Sequence, residues 1–302
     1  MTESDGLSAK PGREPLARRV HGSGDAWVSG PDGRRFWGTF GAAGLLVVHR
    51  PTGVLLQHRV EWSHFGGTWG LPGGARHEDE TAAAGAIREA GEEAGVPEAA
   101  LRLRFASVLD LGWWTYTTVV ADVAELFLPV VGDAESLELR WVPFDDVAAL
   151  PLHPGFAERW PSLRADLGTR PRLIVDAANA VGSRPDGWWR DRAGATDRLV
   201  RSLAAARDRG IPAALLGEQH DSWWPEVTIV VEGQARRMSL EPEDVRIVRA
   251  PRDGDATIVD EVAREHGPVT VVTADRELRE RVVAAGARLA SPGALIELFG
   301  RD

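Results

Sequence analysis

The chain has 302 residues, 43% of them hydrophobic, and a formal net charge of −10; neither half is basic, so nucleic-acid binding through a broad positive surface is excluded and would need a local patch. No apolar run approaches the roughly 18 residues of a membrane span, and residues 1–20 lack the apolar stretch of a secretory signal, so a cytoplasmic protein without membrane contact is expected. Cysteine is absent, which rules out disulfides, thiolate catalysis and Cys-type zinc sites and leaves carboxylates, His and backbone carbonyls as ligands for hard cations such as Mg²⁺ or Mn²⁺.

This length predicts two domains. Residues 1–22 mix Ser, Gly, Pro and charge without a periodic apolar face and are expected to be a disordered tail. From Phe36 to Val60 short strand-like runs follow one another, including GLLVVH (44–49) and VLLQHRV (54–60), joined by a Pro-Thr-Gly turn that suits a hairpin. A helix is predicted over about 80–94, strands at 115–123 and 137–143, and helices at 145–150 and 155–167. This is an α+β unit with a mixed or antiparallel sheet, spanning 23–169. From 170 to 302 the pattern changes: strands at 172–176, 211–216, 227–231, 245–249 and 268–272 alternate with helices near 194–209, 256–266, 276–285 and 292–299. Such alternation predicts an α/β, doubly wound parallel sheet, whose ligands bind beyond the carboxyl ends of the strands.

Within LPGGARHEDETAAAGAIREAGEEAGVP (71–97), Glu89, Glu92 and Glu93 stand at relative positions 0, 3 and 4 and share one helical face. Three like charges with only Arg88 beside them call for a compensating divalent cation, which carboxylates on one rigid helix can hold while leaving positions for phosphate oxygens and water. The other reading is a Glu-rich exposed helix. The full spacing decides: Gly74, five residues, Glu80, seven residues, Arg88-Glu89, then Glu92-Glu93, Gly95 and Val96, with Ala90 where a larger aliphatic residue is more usual, resembles the Nudix hydrolase family over about residues 36–165. That resemblance implies Glu92 and Glu93 as principal metal ligands, Glu89 as a further ligand or the orienter of the attacking water, the carbonyl of Gly73 as another ligand, and Arg88 and Glu80 as fixing the loop. It implies a metal-activated water attacking one phosphorus of a diphosphate in a nucleotide-type substrate. Members often use another acid from a later loop; Glu135 is the preferred candidate over Glu138, each balanced against a plain surface carboxylate. Among Trp62, Trp69, Trp113, Trp114 and Tyr116, core packing is the default, and Trp113, in the loop LDLGWWTYTT, is the best candidate to stack a nucleobase.

In the second half Asp176 follows RLIV, Asp255 stands in RDGDATIV and Asp275 follows VTVVTA. Each alone could simply cap the next helix. Together with Asn179 they suit a small acidic pocket for one or two Mg²⁺ or Mn²⁺ ions. LIVDAANAVGS, GDATIVDEVA and VTVVTADRELRERV resemble the NYN branch of the PIN-like nuclease fold over about 171–300, which implies Asp176, Asp255 and Asp275 as ligands and Asn179 and Thr273 as positioning groups. Ala177 and Ala256 depart from that pattern. SRPDGWWRDRAG (183–194) interleaves Arg184, Arg190 and Arg192 with Trp188 and Trp189, which suits single-stranded RNA, against a packed Trp pair with surface ion pairs. Three readings stand: a Nudix hydrolase joined to a ribonuclease, a Nudix hydrolase whose second domain only binds RNA or protein, and a housekeeping nucleoside triphosphate pyrophosphohydrolase. The sequence leaves the oligomeric state open, a homodimer being one option because both folds often pair.

Overall fold

The computed structural model describes residues 8–9, 22–183 and 188–300. The chain divides into two units, Met1–Leu167 and Gly168–Asp302. The first opens with a hairpin, β1 (Trp27–Ser29) and β2 (Arg35–Trp37), in which Trp27 is paired with Trp37. The main sheet follows: β3 (Ala42–His49), β4 (Gly53–Arg59), β5 (Trp69–Gly70), β6 (Gly73–Ala75), β7 (Leu101–Asp110), β8 (Thr115–Val123) and β9 (Ser136–Val142). It is a mixed sheet, because β3 runs parallel to β8 and antiparallel to β4 and β6. Residues Ala42–Val48 are all buried, which explains why this strand reads as a continuous apolar run rather than an alternation. The Pro-Thr-Gly turn is closed by the Thr52 N–H on the His49 carbonyl at 3.0 Å. Gly53 there takes φ +132 and sits where a Cβ would lie 1.9 Å from the Val142 carbonyl. Helix α1 (Ala82–Ala94) packs on β3 and β6, and α2 (Pro154–Asp166) closes the unit.

Three sequence expectations change here. The strand β7 was not foreseen; its register shifts between Leu103 and Phe105, which breaks the alternation that would have announced it. Residues 145–150 form only a 3₁₀ turn at Val147–Ala149. Within the expected disordered tail, Ser8–Ala9 pairs with Arg140 and Leu139 on the otherwise open edge of β9.

The second unit comprises β10 (Arg172–Asp176), α3 (Ala177–Gly182), α4 (Arg192–Arg209), β11 (Glu226–Val231), β12 (Val245–Arg249), α5 (Gly254–Arg264), β13 (Val269–Val272), α6 (Arg276–Ala284), β14 (Arg288–Ala290) and α7 (Pro292–Glu297). Its five strands are all parallel in the order β12-β11-β10-β13-β14. The chain thus leaves β10 in one direction and returns on its other side, and Asp176 ends the central strand. Ile174, Val230, Val271, Ile258, Val262, Leu278 and Val282 bury the seam between the sheet and helices α5 and α6. The strand expected at 211–216 is confined to Ile211–Pro212, followed by a helical turn at Ala213–Leu216; Pro212 has no N–H to continue a ladder. Among the described residues no helix is long and apolar enough to cross a membrane.

Helix α1 ends at Gly95, which takes the left-handed conformation at φ 64 and donates its N–H to Gly91 while Val96 donates to Ala90. Gly95→Ala is expected to destabilise the first unit by about 1 kcal/mol. The midpoint of urea unfolding reads this loss, and an unchanged midpoint would mean that the helix end absorbs a Cβ at this angle.

Candidate active site

Helix α1 begins at Thr81, whose hydroxyl accepts the Ala84 N–H at 3.1 Å, and is carried by alanines of high helix propensity. Its buried stripe holds Ala86, Ala90 and Ala94 together with Glu89 and Glu93, which are 3% and 1% exposed. Ala90 thus fits because the helix lies close to the sheet. Glu92, by contrast, has a side chain 51% exposed, so the shared face foreseen from spacing splits into two inward carboxylates and one at the rim.

Burying two carboxylates is costly unless donors meet them. Glu93 Oε2 accepts the Gly73 N–H at 2.9 Å and Gln57 Nε2 at 3.3 Å. Glu89 Oε1 accepts Arg88 Nη1 at 2.8 Å. Gly73 thus meets the cluster through its amide, the same residue whose carbonyl the resemblance implies as a metal ligand. Gln57, fully buried, also donates to Ser136 Oγ at 2.7 Å, and Ser136 donates to Asp133 Oδ1 at 2.9 Å. This buried polar chain was missed by the sequence reading; a lone Gln inside the apolar run VLLQHRV was the available signal. At Gly74 an added Cβ would lie 2.8 Å from the Glu89 carboxyl carbon, so the absence of a side chain keeps the space in front of that carboxylate open.

Arg88 forms a fork on Glu80, with Nε to Oε1 at 2.8 Å and Nη2 to Oε2 at 2.9 Å, and also reaches the Ala75 carbonyl at 3.0 Å. Glu80 further accepts the His77 N–H at 2.9 Å. The guanidinium holds the Glu80 carboxyl below the usual carboxylate range, and Glu80 in turn raises Arg88. The loop between β6 and α1 is thereby pinned at both ends.

A cavity of about 480 Å³ opens beside Gly73 and Gly74. Glu135, Arg59 and Tyr116 line it as well, and Trp27, Trp37, Trp62, Phe65 and Trp114 contribute aromatic walls. Glu135 lies 3.8 Å from Arg59, whereas Glu138 is turned to Arg140 on β9 at 3.5 Å. Burial pushes the Tyr116 phenol up to about 12, so it stays a neutral hydroxyl over Gly44, whose missing side chain leaves room for it. Trp113 is not among the cavity residues: its ring packs on Gly30 and Phe36, and Trp114 faces the cavity instead, stacked 4.3 Å from Phe36 and donating to the Trp37 and Gly38 carbonyls. Trp69 is packed between His58 and Arg140.

In the second unit, Asp176 is 7% exposed and accepts the Asn179 N–H and the Thr273 hydroxyl, each at 3.0 Å. Asn179 Oδ1 accepts the Ala274 N–H at 2.9 Å, and Thr273 Oγ1 accepts the Asp275 N–H at 3.1 Å. Asp275 caps α6 through Leu278, and Asp253, not Asp255, caps α5. Burial, followed by the charges of Asp176, Asp275 and Asp253, raises the Asp255 carboxyl, which joins these acids electrostatically. Glu232 was missed: it accepts the Gly254 N–H at 3.0 Å, and its charge helps burial raise Asp176. It directly follows β11, so the strand-end rule applied to the other acids would have found it. Arg190 and Trp189 are exposed beside α4, Asp191 caps that helix, and Arg184 and Asp186 lie outside the described residues. Among the described residues no three His, Asp or Glu side chains already stand together as a ligand set for a metal ion, in either unit. The donor chemistry at α1 nevertheless fits a hard divalent cation: carboxylate oxygens on one rigid helix, facing a strand whose Gly74 leaves room that a Cβ would fill.

The NUDIX domain family model matches residues 39–164. A Mycobacterium tuberculosis protein provisionally named 8-oxo-dGTP diphosphatase 3 is 52% identical over 170 residues, covering 53% of this chain and 78% of the relative. A Bifidobacterium longum nucleoside triphosphate pyrophosphatase/Nudix hydrolase fusion protein is 40% identical over 161 residues, covering 51% of this chain and 33% of that protein. The crystal structure of RenU, a Nudix hydrolase from M. smegmatis, is 50% identical, covers 48% of this chain and 96% of its own, and superposes with a TM-score of 0.45.

One group beside the cavity titrates far from its usual range. Burial, then Arg59 and His64, lowers His153 from 6.5 to about 4, while its Nδ1 caps α2 by accepting the Gly155 N–H at 3.2 Å. Because the folded value is depressed, the unfolded chain takes up the proton first as pH falls. The contribution is therefore fully present above about pH 6.5 and lost as pH drops toward 4. His153→Asn keeps a capping acceptor without the titration, and urea unfolding at pH 7 and pH 5 should show a smaller acid loss in the variant than in the wild type.

Proposed function

We propose, for a chain that belongs to the NUDIX family and is a hydrolase of phosphoric anhydride bonds, that its first unit cleaves a diphosphate linkage in nucleoside triphosphate-type substrates with Mg²⁺ or Mn²⁺. The observation that carries this reading is one cavity lined by Gly73, Gly74 and Glu135 together with several indoles, so phosphates and an aromatic base can be held together. The relative named for 8-oxo-dGTP favours the housekeeping version, in which oxidised purine triphosphates are removed.

Glu89, Glu92, Glu93 and the carbonyl of Gly73 would hold the cation, which when bound neutralises charge on the phosphate oxygens and acidifies a water. Gly73 N–H and Gln57 keep Glu93 oriented, and Arg88 does the same for Glu89. Arg59, on the cavity wall beside Glu135, is suited to a phosphate oxygen, and Glu135 or Glu89 takes the proton of the attacking water. Steady-state hydrolysis of 8-oxo-dGTP, dGTP and dinucleoside polyphosphates, with Mg²⁺ and with Mn²⁺, tests the proposal. Wild type is expected to cleave at least one of them, and Glu92→Gln/Glu93→Gln to lose more than about a hundredfold in kcat. Equal rates in the two proteins would sink the assignment.

A second reading applies to residues 171–300. The Thr273 hydroxyl on Asp176, between the ends of two adjacent parallel strands, is the observation that favours a PIN-like site in which Asp176, Asp255 and Asp275 hold a divalent cation for cleavage of single-stranded RNA. Asp176→Asn with Asp275→Asn should abolish cleavage of a short RNA and leave its binding intact. A wild type that binds RNA without cutting it would make this unit a binding module.

A further inference from the structure

The cavity has a wall that the family match does not include. The match begins at residue 39, yet Asp25, Trp27, Phe36 and Trp37 all face the cavity from the hairpin that precedes it. This hairpin is a fixed part of the unit. The Gly38 N–H is held by the Ala26 carbonyl and the Thr39 N–H by the Gly24 carbonyl, both at 2.9 Å. Ser23 Oγ accepts the Glu78 N–H at 2.9 Å, and Gly22 and Gly24 lie so close to His77 and Arg76 that an added Cβ would overlap them. Its base therefore rests on the loop that Arg88 and Glu80 pin at the start of α1. Phe36 stacks on Trp114 from the sheet side.

The 61–67 loop also lines the cavity, carrying Trp62, 71% exposed, and Phe65, 43% exposed. Trp27, itself 44% exposed, packs edge-on against both Trp37 and His64, each at 5.5 Å, so hairpin and loop meet at this ring. Arg35 lies 5.2 Å from the Trp27 ring and helps fix it. Three large exposed apolar rings lining one cavity mark a binding surface for a flat apolar group. A nucleobase is such a group, since its faces stack on indole while its edges remain hydrated or hydrogen-bonded.

We infer that the hairpin of residues 25–37 and the 61–67 loop form the nucleobase subsite, with Trp27 and Trp62 as the stacking platforms, so that a segment preceding the NUDIX match shares base binding with a loop inside it. This rests on the reading of the first unit as a nucleotide hydrolase and adds where the base is held. The test uses the full chain and does not depend on turnover. Isothermal titration with a purine nucleoside 5′-monophosphate and with ribose 5-phosphate is run on wild type, Trp27→Ala, Trp62→Ala and Trp27→Phe. Each alanine variant should bind the nucleotide about 5- to 100-fold more weakly, with ribose 5-phosphate unaffected and Trp27→Phe close to wild type. With a cleaved triphosphate the loss should fall on KM rather than kcat. Alanine variants that bind the nucleotide as tightly as wild type would overturn the subsite, as would a wild type that does not distinguish the nucleotide from ribose 5-phosphate. If the platforms behave as expected but no triphosphate is hydrolysed, the subsite stands and the hydrolase substrate reading fails.

Discussion

The first unit is organised around one constraint: two carboxylates of α1 are buried in the seam between helix and sheet. Glu89 and Glu93 can occupy that seam only because the rest of the stripe is alanine and the facing strand is glycine, which brings the helix close enough for a backbone amide to reach Glu93. The donors that meet them come from different places in the sequence: Arg88 from the helix itself, Gly73 from β6 and Gln57 from β4. A buried charge left without such a partner would cost several kcal/mol, so the fold and the functional cluster are not separable here. The same groups that stabilise the packing also orient the oxygens that a divalent cation would need.

From this seam the cavity takes its position. β6 delivers Gly73 and Gly74 to it, and the β9 side delivers Glu135 through the turn that also buries Asp133 and Ser136. The hairpin and the 61–67 loop supply its aromatic surface. The division of labour follows from chemistry: charge handling needs rigid, buried, hydrogen-bonded groups on helix and strand, whereas recognition of a flat base needs only ring faces, which loops can present.

The second unit solves a similar problem with different means. Its acids sit where parallel strands end, and helix capping orients them: Asp176 and Asp275 each accept an N–H of the following helix, and Thr273 links the two, accepting the Asp275 N–H and donating to Asp176. Capping and clustering are thus the same geometry, and capping alone therefore does not argue against a shared role. Crowding of like charge appears in the upward displacement of both Asp176 and Asp255 after the larger effect of burial.

The sequence by itself determined the elements whose signals are local. The spacing from Gly74 to Val96 announced α1 with its carboxylates, the apolar run GLLVVH (44–49) announced the central strand, and the strand-end acids Asp176 and Asp275 were legible from the boundary between an apolar run and a helix. What only the tertiary structure decided were relations between distant segments. That Glu92 points outward while Glu89 and Glu93 point in depends on how the helix is rolled against β3 and β6. That Trp114 faces the cavity and Trp113 does not depends on the hairpin that Trp113 packs against. Gln57, Ser136 and Asp133 carry no motif, because a buried polar chain is written in contacts across 79 residues and not in spacing along the chain. Local periodicity records which face of an element is buried; it does not record what that face will be buried against.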